Sequence, residues 1–238
     1  MQKFLRNLFI GTYNYSVHDL DEIKKCLYQN RSKNTVYSGA QARMVYLTKS
    51  NPNHRAIYDW LAHEVYLYLN NSNVETRQTF DDWHHKICLS FIQRCNNVGI
   101  NAKYGMAQKF LNLLMKYVYC FRDANTLHRS KFENCHFILD GYTYFSPVKS
   151  YIGQKSYGSY TILTPFYAKQ VFATSTASLA CWSKLSYEEY INIQGDIRVY
   201  LNANPLVYDN VKHLNPHRAA TVSMNYPLTA FETEFFIW

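Results

Sequence analysis

The chain is poor in residues that break a backbone into tight turns. Its 238 residues include only 8 glycines and 6 prolines, which argues against a sandwich of many short strands. It has six cysteines, Cys26, Cys88, Cys95, Cys120, Cys135 and Cys181, and no two are spaced as C-x-x-C. Neither a zinc-ribbon spacing nor a thioredoxin-like pair is therefore present, and free, mostly buried thiols in a reducing compartment are expected. P-loop, G-x-G-x-x-G and G-x-S-x-G signatures are all missing, as are the phosphate cradle, dinucleotide fold and serine-hydrolase elbow that they announce. No window approaches 18 apolar residues without a charge, so no membrane span is expected. The opening "MQKFLRNLFIG" lacks a long apolar core and a small-residue cleavage site, which predicts a cytoplasmic protein. With no internal repeat and no low-complexity linker, residues 1–238 read as a single domain.

Charge is also sparse, and acids are the scarcer sign. Charged residues make up 18% of the chain, with 25 Lys and Arg against 17 Asp and Glu, a formal net charge of +8. The apolar share of 47% excludes a disordered tail and is enough for a large core. What the chain has in plenty is aromatic side chains, at 17%, led by 22 Tyr and 14 Phe. Cations that neutralise phosphates, together with rings that stack on bases, suit a nucleic-acid partner. A basic charge is also ordinary for a protein that needs only to stay dissolved.

The fold class expected is mostly α. Ser16 and Asp19 stand in capping-box spacing before an amphipathic run to about Asn30. After Pro52, residues Ile57, Trp60, Leu61, Val65 and Tyr68 recur at helical spacing. Thr79 and Asp82 mark the start of a third helix that buries Trp83, Ile87, Phe91 and Cys95. Ser186 and Glu189 mark another. Residues 142–178, rich in Tyr, Ser, Thr and Lys, read as an irregular or short-stranded excursion after residue 141.

The stretch "YGMAQKFLNLLMKYVYCF", Tyr104 to Phe121, carries the chemistry. Met106, Phe110, Leu113, Leu114, Tyr117, Val118 and Phe121 form a broad apolar stripe at steps of three and four. Lys109, Asn112 and Lys116 share another face, which on a helical wheel is the solvated side of a core-packing helix. Three features single out Lys109. A turn with Gly99 and Gly105 precedes it, and a hairpin turn of this kind points backbone N–H groups at a phosphate. It lies in the first turn after Gly105, near the positive end of the helix dipole, and a lysine must be neutral to act as a nucleophile. An isolated acid, Asp140 in "HFILDG", follows 31 positions later.

"AQKFLNLLMKY" followed by "CHFILDGY" resembles the helix-hairpin-helix DNA glycosylases. It looks most like their archaeal 8-oxoguanine branch, with bacterial antiphage enzymes that remove glucosylated hydroxymethylcytosine as further kin. The resemblance spans about residues 79 to 145. It departs from the family at the hairpin, where "NVGINAKYG" is longer and lacks the usual proline, and at "FIL", where a Pro or Val usually precedes the aspartate.

The resemblance implies a helical domain of two lobes with the active-site cleft between them. It also implies duplex DNA as partner, no cofactor, no metal and a monomer. Asp140 would stabilise the positive charge that builds on the sugar as the glycosidic bond breaks, and Lys109 would attack the sugar carbon or position the base or a water. Gly99, Gly105, Lys103, Gln108, Lys149 and Lys155 would contact DNA. Trp83, Tyr142 and Tyr144 would line the pocket of the flipped base. A Tyr- and Ser-rich wall suits a base that carries a sugar, and so a bulky modified cytosine excised in antiphage defence. The alternatives are an 8-oxoguanine repair glycosylase with lyase activity and a non-enzymatic basic module that only binds. In the ordinary reading, Asp140 caps a helix beginning at Gly141 and Lys109 is a solvent lysine. His84 and His85 with Asp81, Asp82 and His63 lack a metal-ligand spacing, because adjacent histidines on a helix point in different directions.

Overall fold

The structure is a computed structural model and describes residues 14–28, 51–139, 184–203 and 229–232. Among the described residues every regular element is helical, as the sequence predicts, and no helix is long and apolar enough to cross a membrane. The chain divides into two compact units, Met1–Cys135 and His136–Trp238.

The first unit holds α1 (Leu20–Tyr28), α2 (Pro52–Asn70), α3 (Arg77–Asn97), α4 (Tyr104–Tyr119), a 3-10 turn at Ala124–Thr126 and the short α5 (Ser130–Glu133). The start of α1 is fixed by Asp19, whose carboxylate accepts from the N–H groups of Asp21 and Glu22 at 2.8 and 3.2 Å. Ser16 is not the cap; its hydroxyl donates to Asp123 at 2.5 Å. Ser16 thereby ties the entry of α1 to the segment after α4. The expected end near Asn30 lies outside the described residues.

The α2 helix begins as its sequence predicts, with Pro52 in the first turn and the Asn51 side chain accepting from the Asn53 N–H at 2.9 Å. Its apolar residues Ile57, Leu61, Val65 and Tyr68 are buried and Trp60 half-buried. The α3 helix begins one turn before the Thr79–Asp82 pair. Thr76 is the cap, and the Thr76 and Thr79 hydroxyls each accept from the other's backbone N–H, at 3.2 and 2.8 Å. A Thr at N3 reaches back as a Glu would, which leaves Asp82 to accept from Gln78 instead.

In this unit α2, α3 and α4 enclose the aromatic core. Phe110 sits between Tyr58 and Phe91, with ring centroids 5.9 and 5.4 Å away. Burying an aromatic ring this completely stabilises the fold by roughly 3 kcal/mol relative to an exposed ring.

The second unit is described at the buried segment from His136 to Leu139, at α6 (Tyr187–Ala203) and at residues 229–232. The predicted start of α6 is present, with Ser186 and Glu189 exchanging bonds at 2.8 and 3.2 Å. Gln194 on α6 holds both backbone groups of Phe137, accepting from its N–H at 2.9 Å and donating to its C=O at 2.7 Å. His136 Nδ1 meets the Tyr190 hydroxyl at 2.8 Å. A buried, non-helical backbone needs such partners, because its polar groups lack an intrahelical ladder. The excursion at 142–178 lies outside the described residues.

Candidate functional site

The turn between α3 and α4 is built around Gly99, whose φ of +80° is the only positive φ among the described residues. The Gly99 N–H donates to Asn96 C=O at 3.0 Å and the Ile100 N–H to Cys95 C=O at 2.9 Å. This pair of bonds defines a Schellman ending, with Ile100 buried behind it. Val98 and Ala102 also donate inward, to Cys95 and Ile100. The N–H groups of Val98, Gly99, Ile100 and Ala102 are therefore engaged inside the turn. Lys103, the last residue before α4, is exposed and makes no side-chain cap bond.

The α4 helix starts at Tyr104, so Lys109 is its sixth residue and lies in the second turn rather than the first. The field of the helix terminus fades within the first turn, so the dipole argument loses most of its force at Lys109. The polar face is not solvated either. Lys109 is 7% exposed, Lys116 3% and Asn112 1%. Gln108 and Gly105, expected to contact DNA, are also buried. The reason is the apolar belt: Phe110, Leu111, Leu113, Leu114 and Met115 are buried around the helix, so α4 has no broad face left for water.

The buried polar groups bond to one another. The Gln108 Nε2 amide donates to Gly105 C=O at 2.8 Å, and the Asn112 Nδ2 amide donates to Gln108 Oε1 at 2.9 Å. His84 on α3, fully buried, brings Nε2 to 2.9 Å from Asn112 Oδ1. Its Nδ1 lies 3.8 Å from Cys88 Sγ, and burial raises that thiol far above the usual range. His85, its neighbour, points elsewhere, toward the Tyr104 hydroxyl at 3.4 Å. In the sequence His84 stands out only as one of an adjacent histidine pair without metal-ligand spacing. Asn112 four residues after Gln108 was the visible signal, since that step lets two carboxamides meet on one face.

Trp83 is half-buried and stacks on Tyr68, centroids 4.1 Å apart and planes 25° apart. One face of its ring is therefore already covered from within the protein. Asp140, Tyr142, Tyr144, Lys149 and Lys155 lie outside the described residues.

A further signal went unread in the sequence. From Trp83 to Arg122 there is no Asp or Glu, while Lys86, Arg94, Lys103, Lys109, Lys116 and Arg122 fall in that span. Folded, this span is the part of α3 after Asp82, the turn, α4 and its exit. Lys86, Arg94 and Lys103 are exposed on it, with the Arg94 guanidinium 4.4 Å over the Trp60 ring. No family model, curated protein or solved structure matches the chain.

Proposed function

We propose that the protein is a DNA glycosylase that excises a modified base and leaves an abasic site. The observation that carries this reading is the α3–α4 hairpin, which from Trp83 onward has no carboxylate, exposes cations and holds the buried Lys109. Such a surface attracts a phosphate backbone. A buried amine has the dry surroundings in which a nucleophile or a charge-stabilising group acts most strongly.

In this reading one nucleotide is flipped from the duplex. As the bond from sugar to base lengthens, its electrons leave with the base and positive charge spreads over the sugar. The Lys109 amine adds to that sugar carbon, or orients a water that does. The Asp140 carboxylate, placed in this role by its sequence resemblance, stabilises the charge. A bulky cytosine bearing glucose on a hydroxymethyl group is the proposed substrate, on the strength of the Tyr- and Ser-rich stretch after Asp140.

The exposed cations favour a second reading, a module that binds DNA without reacting. The two are separated by incubating the protein with duplexes that contain glucosylated hydroxymethylcytosine, 8-oxoguanine or neither, and then treating with alkali. Breaks at the glucosylated base are expected. A mobility shift without breaks supports the binder, and breaks only at 8-oxoguanine overturn the substrate. Asp140→Asn is expected to lose about 100- to 1,000-fold in rate with DNA binding kept.

A further inference from the structure

The hydrogen bonds of the α3–α4 interface have a direction that can be worked out from one end. The Gly105 carbonyl can only accept, so the Gln108 atom facing it at 2.8 Å is the amide nitrogen. Gln108 Oε1 therefore points at Asn112, and the Asn112 atom 2.9 Å from it is the NH2 group. Asn112 Oδ1 is left facing His84 Nε2 at 2.9 Å, and an acceptor there requires the ring proton on Nε2. On a neutral ring this leaves the lone pair on Nδ1, which lies 3.8 Å from the Cys88 thiol. Phe80 flanks the ring, centroids 5.8 Å apart.

From these contacts we infer that His84, Asn112 and Gln108 form a polarised relay anchored on the Gly105 carbonyl, and that His84 is a positioning residue for the Lys109 face of α4. The need for such a device follows from the belt of apolar residues around α4. A helix that is apolar nearly all round can turn about its axis and still bury its leucines. A buried chain of polar groups bonded to one another cannot turn without orphaning a donor or an acceptor, so it selects one rotation. Lys109 lies beside Gln108 and three residues before Asn112, and its direction is fixed by that same rotation. The positioning role rests on the reading of Lys109 as the amine that acts on DNA; the polarity of the relay does not.

Two measurements test the two parts. In the full-length protein labelled with nitrogen-15 histidine, His84 is expected at pH 7 as the Nε2–H tautomer, its signal identified by its loss in His84→Gln. A proton on Nδ1, or on both nitrogens, overturns the relay whatever the activity of the enzyme. In excision of glucosylated hydroxymethylcytosine from a duplex, His84→Leu is expected to lower kcat about 100-fold with KM unchanged, the scale of a displacement of about 1 Å. His84→Gln, which keeps a donor toward Asn112, is expected to restore most of that loss. Equal kcat in wild type and His84→Leu overturns the positioning role. So does a His84→Gln enzyme that folds like wild type but is as slow as the Leu variant. Absence of base release by the wild-type protein defeats the glycosylase reading, and the tautomer then decides the relay alone.

Discussion

Gly99 closes α3 with a φ of +80°, and a Cβ built there meets nothing within 4 Å. Its requirement is therefore one of backbone and not of space. Gly99→Ala is expected to cost about 1–2 kcal/mol in urea unfolding, and Gly99→Asn less, because Asn visits the left-handed region more easily. Equal loss for both would mean that something other than φ holds the turn. That glycine could be read as a turn from the sequence, because glycine between two helical patterns has few other uses. The burial of Asn112 and Lys116 could not. A helical wheel shows which residues share a face, and the fate of that face depends on what packs against it. For Asn112 the partner is His84, 28 positions earlier on another helix. The burial of Lys109 was no more legible: the expectation set it in the first turn or in solvent, whereas it lies beyond that turn and is enclosed by packing.

Helix starts follow local chemistry, and they were legible wherever the cap used a common pattern. Ser186 with Glu189 and Asn51 with Pro52 are such cases. The Thr76–Thr79 box was missed because Thr79 takes the place usually held by Glu or Gln, while the next pair, Thr79–Asp82, fits the pattern one turn too late. Links between elements are less visible still. Lys131 of α5 is buried between the Glu75 carboxylate at 3.0 Å, the Asn71 side chain and the Tyr68 ring at 5.1 Å. Asn71 and Glu75 belong to the connection between α2 and α3, so this lysine pins α5 to that link. Removing one partner leaves a buried charge alone, and Glu75→Ala is expected to cost about 3–5 kcal/mol. The double change Glu75→Leu with Lys131→Met is expected to cost much less, since no charge is stranded. Denaturant unfolding of the two variants checks this, and equal losses would argue against the pairing.

At the scale of the whole molecule, the buried thiols set how the fold responds to alkali. An exposed thiol titrates near 9.0; burial pushes Cys95 up to about 12, and Cys26 and Cys88 still higher. Folded-state values above the unfolded one mean that the folded protein holds its thiol protons more tightly. Stability from this source is complete below pH 9 and is lost as the pH rises from 9 toward 12, by roughly 1.4 kcal/mol per pH unit for each thiol. The urea midpoint is expected to be flat from pH 7 to 8.5 and to fall above 9. A midpoint that stays level to pH 11 would show the thiols to be less enclosed. The helical class of the chain was legible in its periodicities, whereas its division at Cys135 was not. No linker composition marks that boundary, because buried residues run through it from Cys135 to Leu139. The proposed activity belongs to this scale too, since it needs the basic hairpin, the Lys109 amine and Asp140 in one protein. The most direct measurement is a mass spectrum of what the protein releases from a duplex containing glucosylated hydroxymethylcytosine. The account predicts the free glucosylated base, with release lost in both Lys109→Ala and Asp140→Asn. Tight DNA binding with no base in the supernatant would contradict it.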